Sequence, residues 1–338
     1  MNKRLFSILL LVTGLTACEN FDIDHPDFKH TSGYFPYQFP VRTLVLGDYI
    51  YDNTNDNNHK FLISAAMGGV YENGKDREFE IEVDNSLCDN ILFRSGGDPI
   101  KAMPPNYYTL SSNNKLIIPK GKLNGNIEVH LTDAFFNDPK SLGLCYVVPV
   151  RLLSSADVDT ILVGRSNNPS ADARIASEWA VPPKNFTMFA VKYINEYHGT
   201  YFHYGSSQVK NSSNAVVDTE TYSEKYIEKN AVSQLVTTGR YQVSLTTFFH
   251  STVMTGEFKM LLNFNGNMCT ATAAEGSPYT ISGTGEFQSK KYSWGNKDRD
   301  GIILNFTVSN GEYTYIASDT LVIRDRGVVM EVYSPVRN

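Results

Sequence analysis

Residues 302–323 read IILNFTVSNGEYTYIASDTLVI, three short runs of β-branched and aromatic residues separated by polar and turn-forming residues. Such runs favour β-strands because branched and aromatic side chains pack well on a pleated surface. Similar runs extend upstream to Phe186 and end at residues 328–332, which suggests about eight or nine hairpin-linked strands. We therefore predict an all-β C-terminal domain over residues 186–338. It would be an antiparallel, lipocalin-like barrel or, alternatively, a second sandwich.

The first half of the chain is also predicted to be β-structure, over residues 33–164. Phe79–Val83 and Ile127–Leu131 alternate apolar and polar residues with period two, as strands buried on one face do. About seven such strands separated by turn-rich segments indicate an immunoglobulin-like sandwich. One of these segments, Asp52–Asn58, is expected to be a flexible loop, and residues 165–185 are expected to link the two domains.

Three cysteines follow Cys18 in the chain. Cys88 and Cys145 lie in the predicted sandwich and could form a disulfide in an oxidising compartment, or all three, with Cys269, could be buried free thiols. The sequence leaves both possibilities open. Cys145 also begins a further predicted strand in which Pro149 indicates an edge or bulged position, because proline lacks the N–H that a central strand uses.

The N-terminus has the pattern of a lipoprotein signal peptide over residues 1–17. Lys3 and Arg4 precede the apolar run Leu5–Gly14, which is too short to span a bilayer. Leu15–Cys18 then matches a lipobox, so we expect cleavage before Cys18 and lipidation of its thiol. The lipid would be the sole membrane anchor.

An acidic segment follows the lipidated cysteine. Glu19–Asp24 and Asp27 lie within the expected tether, residues 18–32. This pattern resembles the signal that exports Bacteroidetes lipoproteins to the outer face of the outer membrane. We therefore expect an extracellular, lipid-anchored protein, with a simple solvated tether as the alternative.

The charge balance excludes some partners. The formal net charge is −6, and the sequence contains no run of basic residues. A mildly acidic surface argues against nucleic acid or anionic lipid as the main partner.

Several motifs resemble known Bacteroidetes lipoproteins. In the N-terminal half these are Gly33–Gln38, Val41–Leu44 and Met67–Tyr71, and in the C-terminal half Ser293–Asp298 and Asp319–Gly327. Together they resemble outer-membrane lipoproteins of polysaccharide-utilisation loci, which join an immunoglobulin-like N-terminal domain to a β-rich C-terminal domain of unknown function. The resemblance implies glycan binding beside an outer-membrane glycan importer. It supplies no catalytic motif.

One turn of the C-terminal domain combines aromatic and polar residues. Trp294 and Tyr292 offer aromatic faces for a sugar ring, and Asn296 and Asp298 offer groups for its hydroxyls. Tyr313 is a further candidate for glycan binding. The alternative is that Trp294 caps the end of the barrel core.

The same segment resembles the start of a calcium loop. Asn296, Asp298 and Asp300 place oxygen atoms at alternate positions, and Gly301 occupies the sixth. The twelfth position, where a calcium loop has glutamate, is Thr307. A hairpin turn explains the segment equally well, so we predict no metal site beyond this weak candidate.

These observations favour a surface lipoprotein that binds a polysaccharide or oligosaccharide non-covalently, without a cofactor. An adhesin or structural subunit that contacts other proteins is the alternative. A glycoside hydrolase is a third possibility, and it would require two carboxylates facing each other across a cleft. Because no catalytic motif is present, we do not expect an enzyme.

Overall fold

A computed structural model describes residues 27–338. The expected signal peptide, the lipidation site Cys18 and the tether up to residue 26 lie outside this part of the chain. Among the described residues, no helix is long and apolar enough to cross a membrane.

The N-terminal domain consists of two packed sheets. Its strands are β1 (Ser32–Tyr34), β2 (Pro40–Val45), β3 (Lys60–Gly68), β4 (Arg77–Val83), β5 (Ile91–Leu92), β6 (Lys101–Ala102), β7 (Tyr108–Leu110), β8 (Lys115–Ile118), β9 (Asn124–Leu131), β10 (Tyr146–Ser154), β11 (Thr160–Ile161) and β12 (Phe186–Ile194). Short helices α1 (Thr54–Asn57) and α2 (Asp133–Asn137) lie in the connections. One sheet has the order β11-β1-β3-β9-β7, and the other contains β2-β12-β10-β4-β8.

The C-terminal strands form a closed barrel. They are β13 (Gly199–Asn211), β14 (Val216–Tyr222), β15 (Ala231–Gly239), β16 (Gln242–Phe248), β17 (Glu257–Asn265), β18 (Met268–Ala273), β19 (Thr280–Trp294), β20 (Lys297–Ser309) and β21 (Tyr313–Asp325). Pairing of β13 with β21 closes the ring, and β14 extends from β13 outside it. The barrel, and not the second sandwich, is therefore confirmed.

Side chains fill the barrel interior. Buried residues from every strand of the ring form one cluster that includes Tyr201, Phe258, Phe306 and Tyr315. Barrels of about eight strands are just wide enough for such filling. The space available to a ligand therefore lies at the ends of the barrel or outside it.

The domain boundary expected at residue 186 is wrong. Strand β12 pairs with β10 on one side and runs parallel to β2 on the other, so it lies inside a sandwich sheet. Phe186, Met188 and Ala190 are fully buried there. The sandwich consequently extends to Ile194, and residues 165–185 connect two of its own strands. The apolar pattern of residues 186–194 predicts a buried strand, but it does not indicate which sheet that strand joins.

The C-terminal tail returns from the barrel to the sandwich. Strand β22 (Glu331–Val332) pairs with β2, and β23 (Val336–Arg337) pairs with β5. The buried Tyr333 donates a hydrogen bond to the Met188 carbonyl at 2.8 Å. Two chain segments therefore join the domains.

Strand β10 is central, which corrects the expectation drawn from Pro149. Its neighbour on one side changes from β6, which pairs as far as Val147, to β4, which begins at Val150. The Pro149 carbonyl accepts a bond from the Asp84 N–H at 3.1 Å on that side. The position where Pro149 lacks an N–H therefore lies between the two partner strands, so no hydrogen bond between paired strands is lost there.

Cys88, Cys145 and Cys269 are free thiols. Burial raises the pKa of Cys88 to about 12 and that of Cys269 to about 11. Thiols with such raised pKa values are poor nucleophiles at neutral pH, which fits a packing role.

Candidate functional site: a cleft between the barrel and the sandwich

A cleft of about 390 Å³ lies where one end of the barrel meets the sandwich. The sandwich contributes residues 48–51, from the loop after β2. The barrel contributes Glu196, residues 298–300 and residues 323–329. Tyr201 and Phe287, two core residues at this end, also line it. Junctions between domains are common places for ligand sites.

Residues 52–58, which were expected to form a flexible loop, hold one wall of this cleft in place through hydrogen bonds. We call this segment the brace. The Asn53 amide donates to the carbonyls of Val45 and Gly47, both at 2.7 Å. The carboxylate of the buried Asp56 accepts the Val45 N–H at 2.9 Å and forms an ion pair with Arg42. These bonds order α1 and the chain on both sides of the wall.

The braced wall presents two tyrosines. Tyr49 and Tyr51 meet edge to face with their ring centres 5.5 Å apart. Tyr51 is 68% exposed. An ordered aromatic side chain that remains open to solvent is suited to stack on a ligand.

Arg326 connects the wall to the barrel. Its guanidinium is buried and donates to the carbonyls of Asp48 and Leu46, both at 2.9 Å, and of Asn195 at 2.5 Å. Hydrogen bonds from a charged donor are stronger than those between neutral groups. The side chain therefore holds the sandwich loop against the start of the barrel.

Carboxylates are the most numerous charged groups in the lining of the cleft. Asp48 forms an ion pair with Lys290 across the junction. Asp300 accepts the Lys290 N–H at 2.8 Å and the Ser289 hydroxyl at 3.1 Å. Glu196 and Asp298 are exposed to solvent. The cleft thus combines aromatic faces with exposed hydrogen-bond acceptors.

Trp294 lies on the outer wall of the barrel beside the cleft. Its indole N–H donates to the Ile323 carbonyl at 2.9 Å, and its ring meets Phe202 edge to face at 5.1 Å. The Arg299 guanidinium, which also lines the cleft, lies 4.2 Å from the centre of the Trp294 ring. Trp294 is therefore half-buried outside the core cluster, with an arginine over its ring.

The other predicted residues are dispersed. Tyr292 packs against Gly301, where a side chain would collide with its ring, and it does not line the cleft. Asn296 occupies the β19–β20 turn, and Asp298 reaches the cleft. Tyr313 follows the opposite turn, about 40 Å along β20 at about 3.3 Å per residue. It therefore cannot share a site with Trp294.

The resemblance to a calcium loop has a different structural basis. Gly295 and Asn296 form a two-residue hairpin turn with φ of 60° and 57°. Asp298 and Asp300 follow on β20, and backbone and hydroxyl donors already occupy one oxygen of Asp300. Within residues 27–338, no group of three or more His, Cys, Asp or Glu side chains is placed to hold a metal.

Sequence reasoning missed the sandwich side of the cleft. Tyr49-Ile50-Tyr51 is an apolar triplet inside a polar loop, and that contrast was the available signal. Nothing in the sequence indicated that this loop would meet Glu196 and Arg326, because the contact depends on the packing of two domains.

A second polar cluster lies inside the barrel. The buried His203 contacts the Asp319 carboxylate through Nε2 at 2.7 Å and the Ser233 hydroxyl through Nδ1 at 2.8 Å. The Tyr222 hydroxyl of β14 donates to the other oxygen of Asp319, and its ring stacks on His250 at 3.6 Å. Burial and the Asp319 charge raise the pKa of Tyr222 well above its ordinary value.

Comparison with known proteins supports the division into two domains. A family model for an N-terminal domain matches residues 28–159, and a domain of unknown function, DUF5627, matches residues 196–327. No curated protein matches the chain.

Several solved structures from Bacteroides ovatus are similar to this chain to different degrees. A protein of unknown function is 34% identical over 93% of this chain and 100% of its own, with a TM-score of 0.85. Another protein of unknown function is 14% identical over 88% of this chain and 94% of its own, with a TM-score of 0.43. A proposed carbohydrate-binding protein is 11% identical over 89% of this chain and 97% of its own, with a TM-score of 0.29. Only the first of these likenesses is close enough to show a shared fold, and the other two support no conclusion.

The fold and the cleft define a two-domain, all-β protein in which a sandwich and a closed barrel share a candidate binding site. The chain belongs to the family of the 34%-identical Bacteroides ovatus protein, and it joins the matched N-terminal domain to DUF5627.

Proposed function

We propose that this protein binds glycan non-covalently in the cleft between its domains and supports polysaccharide capture and import. The observation that carries the proposal is the exposed Tyr51, which lines the same cleft as the exposed carboxylates of Glu196 and Asp298. An aromatic face matches the C–H face of a sugar ring, and carboxylates accept bonds from its hydroxyls.

The wall of the cleft is also held in place before a ligand binds, which favours binding of a weak ligand. Because the brace at residues 52–58 and the Arg326 bonds hold the wall in place, little conformational entropy would be lost on binding. Its volume of about 390 Å³ is near the lower end for small-molecule sites, so it would hold a short segment of a longer chain.

The proposed location follows from the N-terminal sequence. Lipidation of Cys18 and the acidic segment after it would place the protein on the extracellular face of the outer membrane. There it would deliver glycan to an outer-membrane importer. The proposal includes no catalytic step and no cofactor.

Affinity electrophoresis tests the proposal with soluble protein comprising residues 19–338. Gels loaded with plant, yeast and host polysaccharides would be run with the wild type, Tyr51→Ala and Trp294→Ala. The matched control is Tyr226→Ala, because Tyr226 is 55% exposed and does not line the cleft. We expect one glycan to retard the wild type and Tyr226→Ala. Its affinity for Tyr51→Ala should be lower by about tenfold, as for the loss of one stacked ring.

Other outcomes would contradict the proposal in different ways. Retardation unchanged by Tyr51→Ala but lost in Trp294→Ala would move the site to the outer wall. Absence of retardation by the whole panel would exclude glycan binding, and release of reducing ends from any glycan would exclude a purely binding role.

A second candidate function rests on β14. In the sheet formed by the described strands β13–β21, β14 pairs with β13 alone, which leaves its other edge open. Val216 and Val217 are about half exposed on this strand. An open edge can accept a strand from another protein, as an adhesin or structural subunit would require.

A further inference from the structure

The cleft has an apolar rim that a bare sugar chain does not explain. Ile50 is 66% exposed and Val329 is 69% exposed, and both line the cleft together with Val328. Met330, which follows in the chain, is 75% exposed. Exposed aliphatic side chains grouped beside a candidate site are typical of a surface that binds an apolar group.

The two apolar segments are held in place by the same residue. Ile50 lies two residues after Asp48, whose carbonyl accepts a bond from Arg326, and Val328 lies two residues after Arg326. The rim is therefore built from both domains, and its aliphatic side chains line the same cleft as Glu196 and Asp298.

This mixture of groups favours an amphiphilic ligand. Tyrosine rings suffice for the C–H faces of sugars, whereas isoleucine and valine offer no hydrogen bond and gain only by covering apolar surface. A glycan with short acyl substituents presents both surfaces at once, since its hydroxyls are polar and its acyl methyl groups are not.

We propose that the cleft selects acyl-substituted glycans, with the acyl group against Ile50 and Val329 and sugar hydroxyls towards Glu196 and Asp298. This inference rests on the proposed glycan-binding function and names its ligand class. Ester-linked acetyl groups are the simplest substituents of this kind.

The test compares one acetylated polysaccharide with the same material after mild alkali, which removes ester groups and leaves the chain intact. Binding of soluble residues 19–338 would be measured by affinity electrophoresis, first across several acetylated glycans to find a retarding one. The variants are Val329→Thr and Ile50→Thr, which introduce a hydroxyl group into the rim. Val332→Thr is the matched control, because Val332 is 64% exposed and does not line the cleft.

We expect deacetylation to weaken binding by the wild type and by Val332→Thr about tenfold, the scale of a small apolar group in a hydrophobic pocket. Val329→Thr and Ile50→Thr should bind the acetylated glycan less tightly and the deacetylated glycan as the wild type does. Thermal unfolding of each variant checks that the fold is retained.

Two results would overturn the inference and leave the proposed function standing. One is equal or tighter binding of the deacetylated glycan by the wild type, and the other is an acetyl preference that both rim variants retain. Absence of binding to every glycan, acetylated or not, would overturn the inference and the proposed function together.

Discussion

The end of the barrel nearer the sandwich and the interior of the barrel both contain polar side chains, but these side chains are exposed at the end and buried in the interior. At the end nearer the sandwich, Glu196 and Asp298 are exposed and line an open cleft. Deeper in the barrel, Asp319 and His203 are 2% and 3% exposed, and their polar atoms are bonded to each other, to Ser233 and to Tyr222. A carboxylate whose partners are all internal serves the fold, whereas an exposed one remains available to a ligand.

Chain geometry produces this difference. Gly205 lies opposite Asp319 on β13, and any side chain at residue 205 would collide with that carboxylate. Strand β14 then brings Tyr222 over the cluster from outside the ring. At the end that faces the sandwich, the loop at residues 48–51 lies beside the barrel, and the cleft lies between the loop and the barrel.

The largest expected effect comes from breaking the buried cluster. Asp319→Ala would leave His203 and Tyr222 buried without their acceptor and should lower the free energy of unfolding by about 3–5 kcal/mol. Urea denaturation measures this loss. Asp298→Ala, at the open end, is the control and should change stability by less than about 0.5 kcal/mol. Similar small losses for both variants would show that the two ends do not differ as described.

The next effect concerns pH. Burial lowers the pKa of His198 to about 4, assisted by the charges of Arg326 and Lys192, and its Nδ1 accepts the Thr237 N–H at 3.1 Å. The unfolded chain, with an ordinary histidine pKa of about 6.5, binds more protons between these two values. Stability should therefore be complete above about pH 6.5 and fall by up to about 3 kcal/mol as pH drops towards 4.

Denaturation at several pH values checks this dependence. His198→Gln keeps an acceptor for Thr237 and cannot be protonated, so its stability should fall less over the same range. His30→Gln, a change at an exposed residue, should behave as the wild type does. A slope that is the same in all three proteins would exclude His198 as its source.

The smallest expected effect comes from a variant that tests whether glycan binds on the outer wall or in the cleft. Gly301→Ala would push a methyl group into the Tyr292 ring and should cost about 1–3 kcal/mol of stability through overpacking. Glycan affinity should be unchanged, because Tyr292 does not line the cleft. The control for adding a methyl group is Gly143→Ala, because Gly143 has a φ of −133° and a Cβ there would meet no other atom. Gly311→Ala is less suitable, because the positive φ of Gly311 would strain an alanine. Lost affinity in folded Gly301→Ala would place the site on the outer wall.

The candidate site was predictable only in part. Asp298 was predicted to bind glycan from its place in an aromatic and polar turn, and the structure places it in the lining of the cleft. Trp294 was predicted from the same turn. Its contacts with Arg299 and Ile323 were not predictable, because they depend on the register of neighbouring strands, which the local sequence does not indicate. Tyr313 was grouped with them on composition, and the length of β20 separates it.

The sequence by itself determined the β-strands and the presence of two β-rich domains, because periodicity and turn residues act over a few neighbouring positions. Whether the second domain is a barrel or a sandwich was decided by the pairing of β13 with β21. Only the tertiary structure decided that Phe186–Ile194 lies in the sandwich and that the tail at residues 331–337 returns to it. It also decided that Tyr51 lies across a cleft from the end of the barrel. These features depend on contacts between residues far apart in the chain, where burial and strand pairing choose among partners that look alike in sequence.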